Sequence, residues 1–500
     1  MNLLLKRHFL IFLLLMHFAG FMPNSMAQND QKQKNEKEFN NFQHKITNDF
    51  ENFESKNDSI FLRFLENSWK EFKLFREEMK IRAKPVEQPV VGGLKGNIEV
   101  PPVKKSIQGN QQFNQQELEQ PREMIPGQAT ETTKPGERPG YGREVDFFGQ
   151  RVELPANNDL PSVKTISITE IINYYKSYLI NKPMISSSEA IYEFARERSL
   201  NDWGYLYLLI LSSEKYYHEM NNRVLFVWMT LLKSGFDVKL GHDAKNIYLL
   251  INFEHRIYNK MYVNILTQRY YVYTLPGQSE PQTEISSYET AYSQNVKPVS
   301  QMIYTIPVLN GQMFYRKVIY DLDTFSLSLT LPLIDYLNAY PDCDLLVYFR
   351  APVSEKAMRS IDKLFSPILA GKSETEKVAI LLNFVQRSFP YKIDEEQFGK
   401  ENYLFAEETL YYPYSDCEDR AVLLSKLVEH YTGLKTLGLE YSDHVSLGVK
   451  FTKPMQGDFV YYMGEKYYIC DPTYIGAKIG MAMDFMKTQT PSLIQTSLKN

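Results

Sequence analysis

The chain has 500 residues and a formal net charge of −4, with 43% apolar and 23% charged residues. This is the composition of an ordinary globular protein, and it excludes a collagenous or wholly disordered chain. Because the broad basic excess of nucleic-acid-binding proteins is missing, no nucleic-acid partner is expected. Three cysteines exclude a disulfide scaffold and leave at least one thiol unpaired within the chain.

Residues 1–27 have the features of a secretory signal peptide. Lys6 and Arg7 give a positive start, and the apolar run from Phe9 to Met22 is shorter than the ~20 residues that span a bilayer. Ser25-Met26-Ala27 supplies the small residues of a cleavage site. We therefore predict an exported protein, periplasmic, bound to the cell envelope or secreted. The alternative is an uncleaved membrane anchor.

Residues 28–83 carry a phenylalanine repeat with a period of 11. Two series, three residues apart, follow this step: Phe39, Phe50, Phe61 and Phe72, and Phe42, Phe53, Phe64 and Phe75. Eleven residues make three helical turns, so the repeat predicts one apolar stripe along a helix from Lys34 to Lys80. Such a stripe needs a partner, which predicts self-association or docking on another surface, such as an envelope partner. The alternative is a partly disordered stalk.

Residues 84–140 are rich in Pro, Gly, Gln and Thr and show neither a helical nor a strand period. This composition predicts a disordered linker. The segment after it, residues 145–154, alternates around Gly149 and predicts a short hairpin.

Two globular units of α+β class follow, residues 141–335 and residues 336–500. In each, helices with apolar residues at three- and four-residue spacing precede strands with a period of two. The first unit has predicted helices 167–179, 187–198, 200–213 and 216–233 and strands 237–241, 247–253 and 262–273. The second unit has predicted helices 354–369, 375–388 and 417–431 and strands 437–441, 445–451, 459–463 and 466–471.

The two units share a pattern. Aligning Gly235 with Gly433 places helix 216–233 on 414–431, and the same offset places strand 247–253 on 445–451. This similarity predicts that the first unit is a degenerate copy of the second. An unrelated domain of helices and strands is the alternative.

The candidate chemistry lies in the second unit. Cys417 falls in the first turn of a helix with Ser415 or Asp416 as its N-cap, and a helix N-terminus lowers the pKa of a thiol. His444 begins one strand and Asp471 ends another, so adjacent strands can bring both to the start of this helix. These residues would supply a nucleophile, a base and a carboxylate that orients the base.

Neighbouring residues qualify this interpretation. The carboxylates of Asp416, Glu418 and Asp419 oppose thiolate formation, so the helix end and His444 must outweigh them. Strand alternation points Cys470 away from Asp471 into the core, and Cys343 could pair with it. No CxxC, HxxxH or HExxH pair occurs, so neither a metal site nor a cofactor is expected.

The motifs around these residues resemble the transglutaminase-like superfamily of papain-related folds over about residues 340–490. They are Glu408-Thr-Leu, Ser415-Asp-Cys-Glu-Asp-Arg-Ala-Val-Leu-Leu424, His444-Val and Cys470-Asp-Pro-Thr-Tyr474. The resemblance implies helices packed on an antiparallel sheet, with Cys417 as nucleophile, His444 as base and Asp471 as its orienting partner. Ser415 stands where many bacterial members carry Gly.

We therefore predict an exported enzyme that transfers acyl groups from a peptide or side-chain amide, with a protein or peptide substrate. Hydrolysis and transamidation both remain open. The alternative is a non-enzymatic binding or scaffolding protein of the cell envelope. In the first unit, Glu219, Asn246 and Tyr273 take the places of Cys417, His444 and Asp471, so that unit has no thiol nucleophile.

Overall fold

The computed structural model describes residues 56–79, 141–156, 159–293, 295–320 and 323–496. The predicted signal peptide, the linker and the first half of the phenylalanine repeat lie outside these residues. None of the described helices is long and apolar enough to cross a membrane.

The single long helix predicted from the phenylalanine repeat is wrong beyond residue 67. Residues 56–67 are helical (α1), whereas Trp69–Lys73 (β1) and Phe75–Arg76 (β2) are strands. These strands pair with distant segments of the chain, and such tertiary pairing overrides a local helical period. The ring of Phe61 on α1 is buried against Tyr175 and Trp228 of the first unit.

Four helices of the first unit lie within a few residues of their predicted positions. They are α2 (Ile168–Ile180), α3 (Lys182–Glu197), α4 (Asp202–Tyr216) and α5 (Met220–Lys233). Helix α5 is predominantly apolar, and its residues from Asn222 to Leu232 are buried because other elements surround it. Two residues after its end, Gly235 has a φ of 84°, a conformation that glycine adopts without strain.

The strands of the first unit form an antiparallel sheet in the order β1-β9-β5-β6-β8-β7-β2. They are β5 (Val238–His242), β6 (Ile247–Ile251), β7 (Met261–Ile265), β8 (Gln268–Tyr273) and β9 (Glu284–Tyr288). The predicted strand 262–273 is therefore a hairpin, and it reverses at Leu266, which has a φ of 55°.

The N-terminal strands close this sheet. Only Leu74 separates β1 from β2, yet β1 pairs with β9 at one edge and β2 with β7 at the other. The closed sheet surrounds a small core of its own, formed by Tyr248, Leu250, Val263, Ile265, Tyr270, Val272 and Ile285. The outer edges of β9 and β7 are therefore both covered by the N-terminal segment.

Seven helices of the second unit precede its sheet in the described chain. They are α6 (Leu331–Asn338), α7 (Leu345–Arg350), α8 (Glu355–Leu369), α9 (Glu374–Ser388), α10 (Asp394–Gln397), α11 (Ala406–Tyr411) and α12 (Cys417–Thr432). Ser373 and Glu376 form a capping box at the start of α9. Helix α12 ends at Gly433 in the left-handed conformation, with a φ of 67°.

The second sheet is antiparallel, in the order β14-β15-β13-β12-β16. Its strands are β12 (Thr436–Glu440), β13 (Val445–Val449), β14 (Phe459–Tyr462), β15 (Glu465–Cys470) and β16 (Ser492–Gln495). Helix α12 packs on β12 and β13. The α+β class predicted from the sequence is thus confirmed.

Two further hairpins flank the units. The first pairs β3 (Tyr141–Phe147) with β4 (Gln150–Pro155) and turns at Gly149, as predicted. The second, absent from the sequence prediction, pairs β10 (Met313–Tyr320) with β11 (Asp323–Thr330). This second hairpin packs on α8 and α9 of the second unit.

The two sheets share one connectivity. Strands β7-β8-β6-β5-β9 follow the same spatial order as β14-β15-β13-β12-β16, and α5 and α12 precede them in equivalent positions. The main difference lies before these helices. Residues 217–219 join α4 to α5, whereas residues 389–416, with α10 and α11, separate α9 from α12.

Candidate active site

Cys417 is the first residue of α12. Asp416 is the N-cap, and its backbone N–H donates to Oδ2 of Asp419 at 3.3 Å. The apolar residues that follow bury the helix against β12 and β13. The thiol is therefore held at the end of a rigid element.

His444 directly precedes β13. The N–H of Tyr441 donates to the carbonyl of His444 at 2.8 Å and tightens the turn between β12 and β13. The backbone N–H of Val445 donates to Sγ of Cys417 at 3.4 Å. This contact sets His444 beside the start of α12.

Asp471 directly follows β15, the strand that pairs with β13. Its Oδ2 lies 2.8 Å from Nε2 of His444, and its Oδ1 accepts hydrogen bonds from the N–H groups of Thr473 and Tyr474 at 2.9 and 3.1 Å. An ionised carboxylate only accepts, so Nε2 donates and Nδ1 is the nitrogen left for the thiol. The three residues predicted from the sequence thus lie together.

Gln386 of α9 holds the loop after Asp471. Its amide nitrogen donates to the carbonyls of Asp471, Tyr474 and Ala477 at 3.0–3.1 Å, and its oxygen accepts from the N–H of Gly476 at 3.2 Å. Because this side chain saturates four backbone groups of one loop, it fixes the position of the carboxylate.

Arg420 joins three segments around the thiol. It donates to Oγ of Ser415 at 3.2 Å, to the carbonyl of Pro472 at 3.5 Å and to the carbonyl of Phe389. Its guanidinium lies over the ring of Tyr391, 5.3 Å from the ring centroid. Burial lowers the pKa of Arg420 to about 10, so the side chain stays positively charged at neutral pH.

Arg316 supports the chain just before Cys417 from outside the second unit's helices. It lies on β10 and donates to the carbonyls of Leu410 at 2.9 Å, Thr409 at 3.3 Å and Pro413 at 3.4 Å, and also to that of Tyr412. These carbonyls belong to the end of α11 and the segment that leads into α12. The hairpin β10–β11 therefore helps to position the thiol.

The expected low pKa of Cys417 is wrong for this arrangement. Burial and the carboxylates of Glu418 and Asp416 raise the pKa of the thiol well above its usual value. The thiol donates to Oε2 of Glu418 at 3.0 Å, and this bond favours the protonated form. The helix end does not outweigh these effects because the site is closed to water.

The pKa of His444 is also raised, because burial and a neighbouring carboxylate act on it with opposite signs and the carboxylate prevails. Burial lowers its pKa, but the charge and hydrogen bond of Asp471 outweigh burial, so the pKa lies above the usual value. An imidazole with a raised pKa is a stronger base, which suits a proton acceptor for a thiol.

All three side chains are inaccessible to solvent. Cys417 is 1% exposed, His444 3% and Asp471 0%. The ring of Phe485, on a 3₁₀ turn at Asp484–Lys487, meets the His444 ring edge-on with centroids 5.8 Å apart. The site is therefore closed to solvent in this conformation, with Phe485 packed against the imidazole.

A cluster of carboxylates lies behind the thiol. Oxygens of Asp394, Asp416 and Asp419 lie within 4.8 Å of one another, as do oxygens of Asp394, Glu401 and Glu418. Burial, together with the charges of Asp419 and Glu418, raises the pKa of Asp394 to about 11. These oxygens are the ones in the described chain that could hold a hard cation such as Ca²⁺ or Mg²⁺.

The other cysteines lie apart from this chemistry. Cys343, Cys417 and Cys470 are all free thiols, so the pairing of Cys343 with Cys470 that the sequence left open is not formed. Cys470 is buried in the same hydrophobic core as Cys417, which agrees with the packing role predicted from the sequence, although the sequence placed it on the face of the sheet away from the helix. Burial raises the pKa of Cys470 and of Cys343.

The first unit holds different groups at the matching positions. The N–H of Ile247, which corresponds to Val445, donates to Oδ1 of Asn221 at 2.8 Å. Asn246 donates to the hydroxyl of Tyr248 at 3.3 Å, and His218 is exposed. An amide therefore takes the place of the thiol as the acceptor at the helix start.

No protein-family model matches the sequence, and neither the curated proteins nor the solved structures contain a significant match. The residues themselves therefore carry the functional argument.

Sequence reasoning missed the residues that support the site. Gln386 and Arg420 lie in helices among predominantly apolar neighbours. A polar side chain at an apolar position could have indicated a buried hydrogen-bonding role. Asp394 had no signal of its own, since its role depends on a loop that folds back onto α12.

Proposed function

We propose that the chain is an exported, cysteine-dependent acyl-transfer enzyme of the transglutaminase-like superfamily. Its substrate would be a peptide bond or a side-chain amide of a protein. The observation that carries this proposal is the 2.8 Å pair of His444 and Asp471 beside the thiol at the start of α12. A nucleophile, a base and a group that orients the base are the parts this catalysis requires.

The proposed reaction has two halves. Nδ1 of His444 takes the proton of Cys417 as Sγ attacks the carbonyl carbon, and the N–H of Cys417 can stabilise the oxyanion. The imidazolium then protonates the leaving amine, which departs and leaves a thioester. In the second half His444 deprotonates water or an amine, which attacks the thioester, and the released thiolate recovers the proton.

The raised pKa of Cys417 makes substrate entry part of this proposal. Thiol and imidazole are both buried, and Glu418 holds the thiol proton. Movement of the segment that carries Phe485 would admit water and substrate and weaken the desolvation that keeps the thiol neutral.

The test uses the other two cysteines as internal controls. Iodoacetamide labelling of the full chain, followed by mass spectrometry, should modify Cys417 faster than Cys343 or Cys470, and a library of amide substrates should slow the labelling of Cys417 because acylation blocks its thiol. The same library should yield a Cys417 thioester, trapped at acid pH, which Cys417→Ala lacks. Equal labelling of the three thiols and no trapped acyl group would reject the proposal.

A non-enzymatic scaffold is the second candidate, and the complete burial of the three side chains favours it. A scaffold has no reason to hold a reactive thiolate. It would therefore show no acyl adduct under any condition, and Cys417→Ser would leave envelope binding unchanged.

Export is proposed from residues 1–27. N-terminal sequencing of the protein made in its own cell should begin at Gln28. A chain that keeps Met1 in a membrane fraction would show the anchor alternative instead.

We also propose that the first unit is a degenerate copy that serves binding or support. Its sheet has the strand order of the second sheet, and its helix α5 starts with an amide acceptor where the second unit has a thiol. His218→Ala should accordingly leave turnover unchanged.

A further inference from the structure

The outer hairpins of the two sheets are equivalent residue by residue. In both, one pair of aromatic residues and one pair with a cation face each other in the same register: Tyr262 with Tyr271 and Asn264 with Arg269, and Phe459 with Tyr468 and Tyr461 with Lys466. Both turns use a non-glycine residue at positive φ, Leu266 at 55° and Met463 at 51°. Features of one hairpin can therefore be compared directly with those of the other.

Each hairpin places a cation over an aromatic ring. Arg269 lies 4.1 Å from the ring centroid of Tyr262, and Lys466 lies 4.1 Å from that of Phe459. A cation held over the face of a ring is attracted by its quadrupole. The two hairpins thus present the same chemistry at their outer strands.

In the first unit, the N-terminal segment covers this chemistry. Phe75 pairs with Tyr262 in the sheet, and their rings stack with centroids 5.5 Å apart and planes 24° apart. Glu77 forms an ion pair with Arg269, and its N–H donates to the carbonyl of Lys260 at 3.0 Å. One extended segment therefore contributes backbone pairing, a ring and, two residues later, a carboxylate.

In the second unit, the same edge is open among the described residues. Strand β14 ends the sheet and pairs with β15 alone. Tyr461 is 62% exposed, and no carboxylate of the described chain forms an ion pair with Lys466. An unpaired edge strand is a template for another strand.

We propose that β14 is a docking site for an extended segment of a partner protein. In that segment an aromatic residue is followed two positions later by Asp or Glu, as in Phe75-Arg76-Glu77. The ring lies against Phe459, the carboxylate pairs with Lys466, and the backbone adds an antiparallel strand. This interaction is independent of the proposed catalysis.

The sequence of this chain argues for a partner from outside it. In the stretches beyond the described termini and in residues 80–140, no aromatic residue is followed two positions later by Asp or Glu. The segment that has this pattern at Phe75 is already paired with β7. A partner protein is therefore the occupant that fits.

A labelled peptide with the sequence of residues 73–79, which carries the pattern once, is the probe, and its fluorescence anisotropy is followed during titration with the full chain. Saturable binding is expected, and loss of the ring (Phe75→Ala in the peptide) or of the carboxylate (Glu77→Gln in the peptide) should weaken it. In the protein, Lys466→Glu should weaken binding at least about fivefold. The matched change Lys453→Glu, at an exposed lysine of the same unit, should leave binding unchanged.

Four results would overturn the proposal. The first is no saturable binding at millimolar peptide, and the second is binding that Lys466→Glu leaves unchanged. The third is a dimer of the full chain that Lys466→Glu dissociates in sedimentation experiments, since that would make a second copy the occupant. The fourth is loss of binding in the variant Arg269→Gln, because that result would place the peptide at the first sheet and not at β14.

Discussion

The thiol of Cys417 donates a 3.0 Å hydrogen bond to Oε2 of Glu418, the next residue in the chain. The candidate nucleophile thus has a proton acceptor other than His444, and this acceptor holds the thiol in its neutral form. Glu418 itself is buried within a group of carboxylates. The resting reactivity of Cys417 depends on this neighbour.

Glu418→Gln should increase the reactivity of Cys417. The change removes a negative charge beside the thiol, so the pKa of Cys417 falls, and each unit of that fall increases the thiolate fraction about tenfold. Iodoacetamide labelling rates between pH 6 and 9 measure this effect. The exposed neighbour of the cluster, Glu395, supplies the control: Glu395→Gln should leave the rate unchanged, and an equal rise in both variants would contradict the argument.

Asp471→Asn should shift the acid limb of the activity profile to lower pH and reduce turnover. Asp471 raises the pKa of His444, so its charge loss lowers that pKa and keeps the imidazole neutral in more acidic solution. His444→Ala should cost on the order of 10²–10⁴ in the acylation rate. The readout is the rate of acyl-enzyme formation against pH, and a profile that does not move in Asp471→Asn would exclude the pair as the catalytic base.

The buried carboxylates should make stability fall as pH rises. The folded pKa of Asp394 lies above its unfolded value, so folding takes up a proton, and the stabilisation present in acid is lost between the two pKa values. Asp394→Asn should therefore increase the free energy of unfolding over that of the unchanged protein by more at pH 8 than at pH 5. The difference between the two proteins should grow by up to about 1.4 kcal/mol per pH unit. Urea unfolding in EDTA measures this, and parallel curves for the two proteins would refute it.

Two phenylalanines of the repeat should respond differently to truncation. Phe61 is 1% exposed, so Phe61→Ala should cost about 3–5 kcal/mol in the free energy of unfolding. Phe64, three residues on, is 42% exposed, and Phe64→Ala should cost less than about 1 kcal/mol. Equal costs would mean that α1 does not dock as described.

The sequence predicted those elements whose pattern is local. Helix α12 and strand β13 follow from apolar spacing, and Gly433 marks the end of the helix. Strands β9 and β16 escaped prediction because each has only two apolar residues, too few to show a period, and pairs with strands distant in sequence. The change from helix to strand after residue 67 escaped for the same reason, since its hydrogen-bond partners lie more than 180 residues away.

The candidate site also has features that the sequence predicts and features that it does not. Cys417, His444 and Asp471 could be found because each stands at the end of an element with a recognisable period. The direction of the thiol's pKa could not, because it depends on burial and on carboxylates that only the folded chain assembles. A helix N-terminus lowers the pKa of a solvated thiol, but in this closed site the loss of solvation raises the pKa by more.

Because residues 69–76 close the first sheet, their strands are synthesised long before the strands with which they pair. Lys73 leaves the ribosome 211 residues before Glu284, its partner on β9. At usual rates of synthesis this interval lasts roughly 10–40 s. The strand that completes the sheet is thus the first one made, and throughout that interval it waits as an unpaired strand in need of protection from other chains.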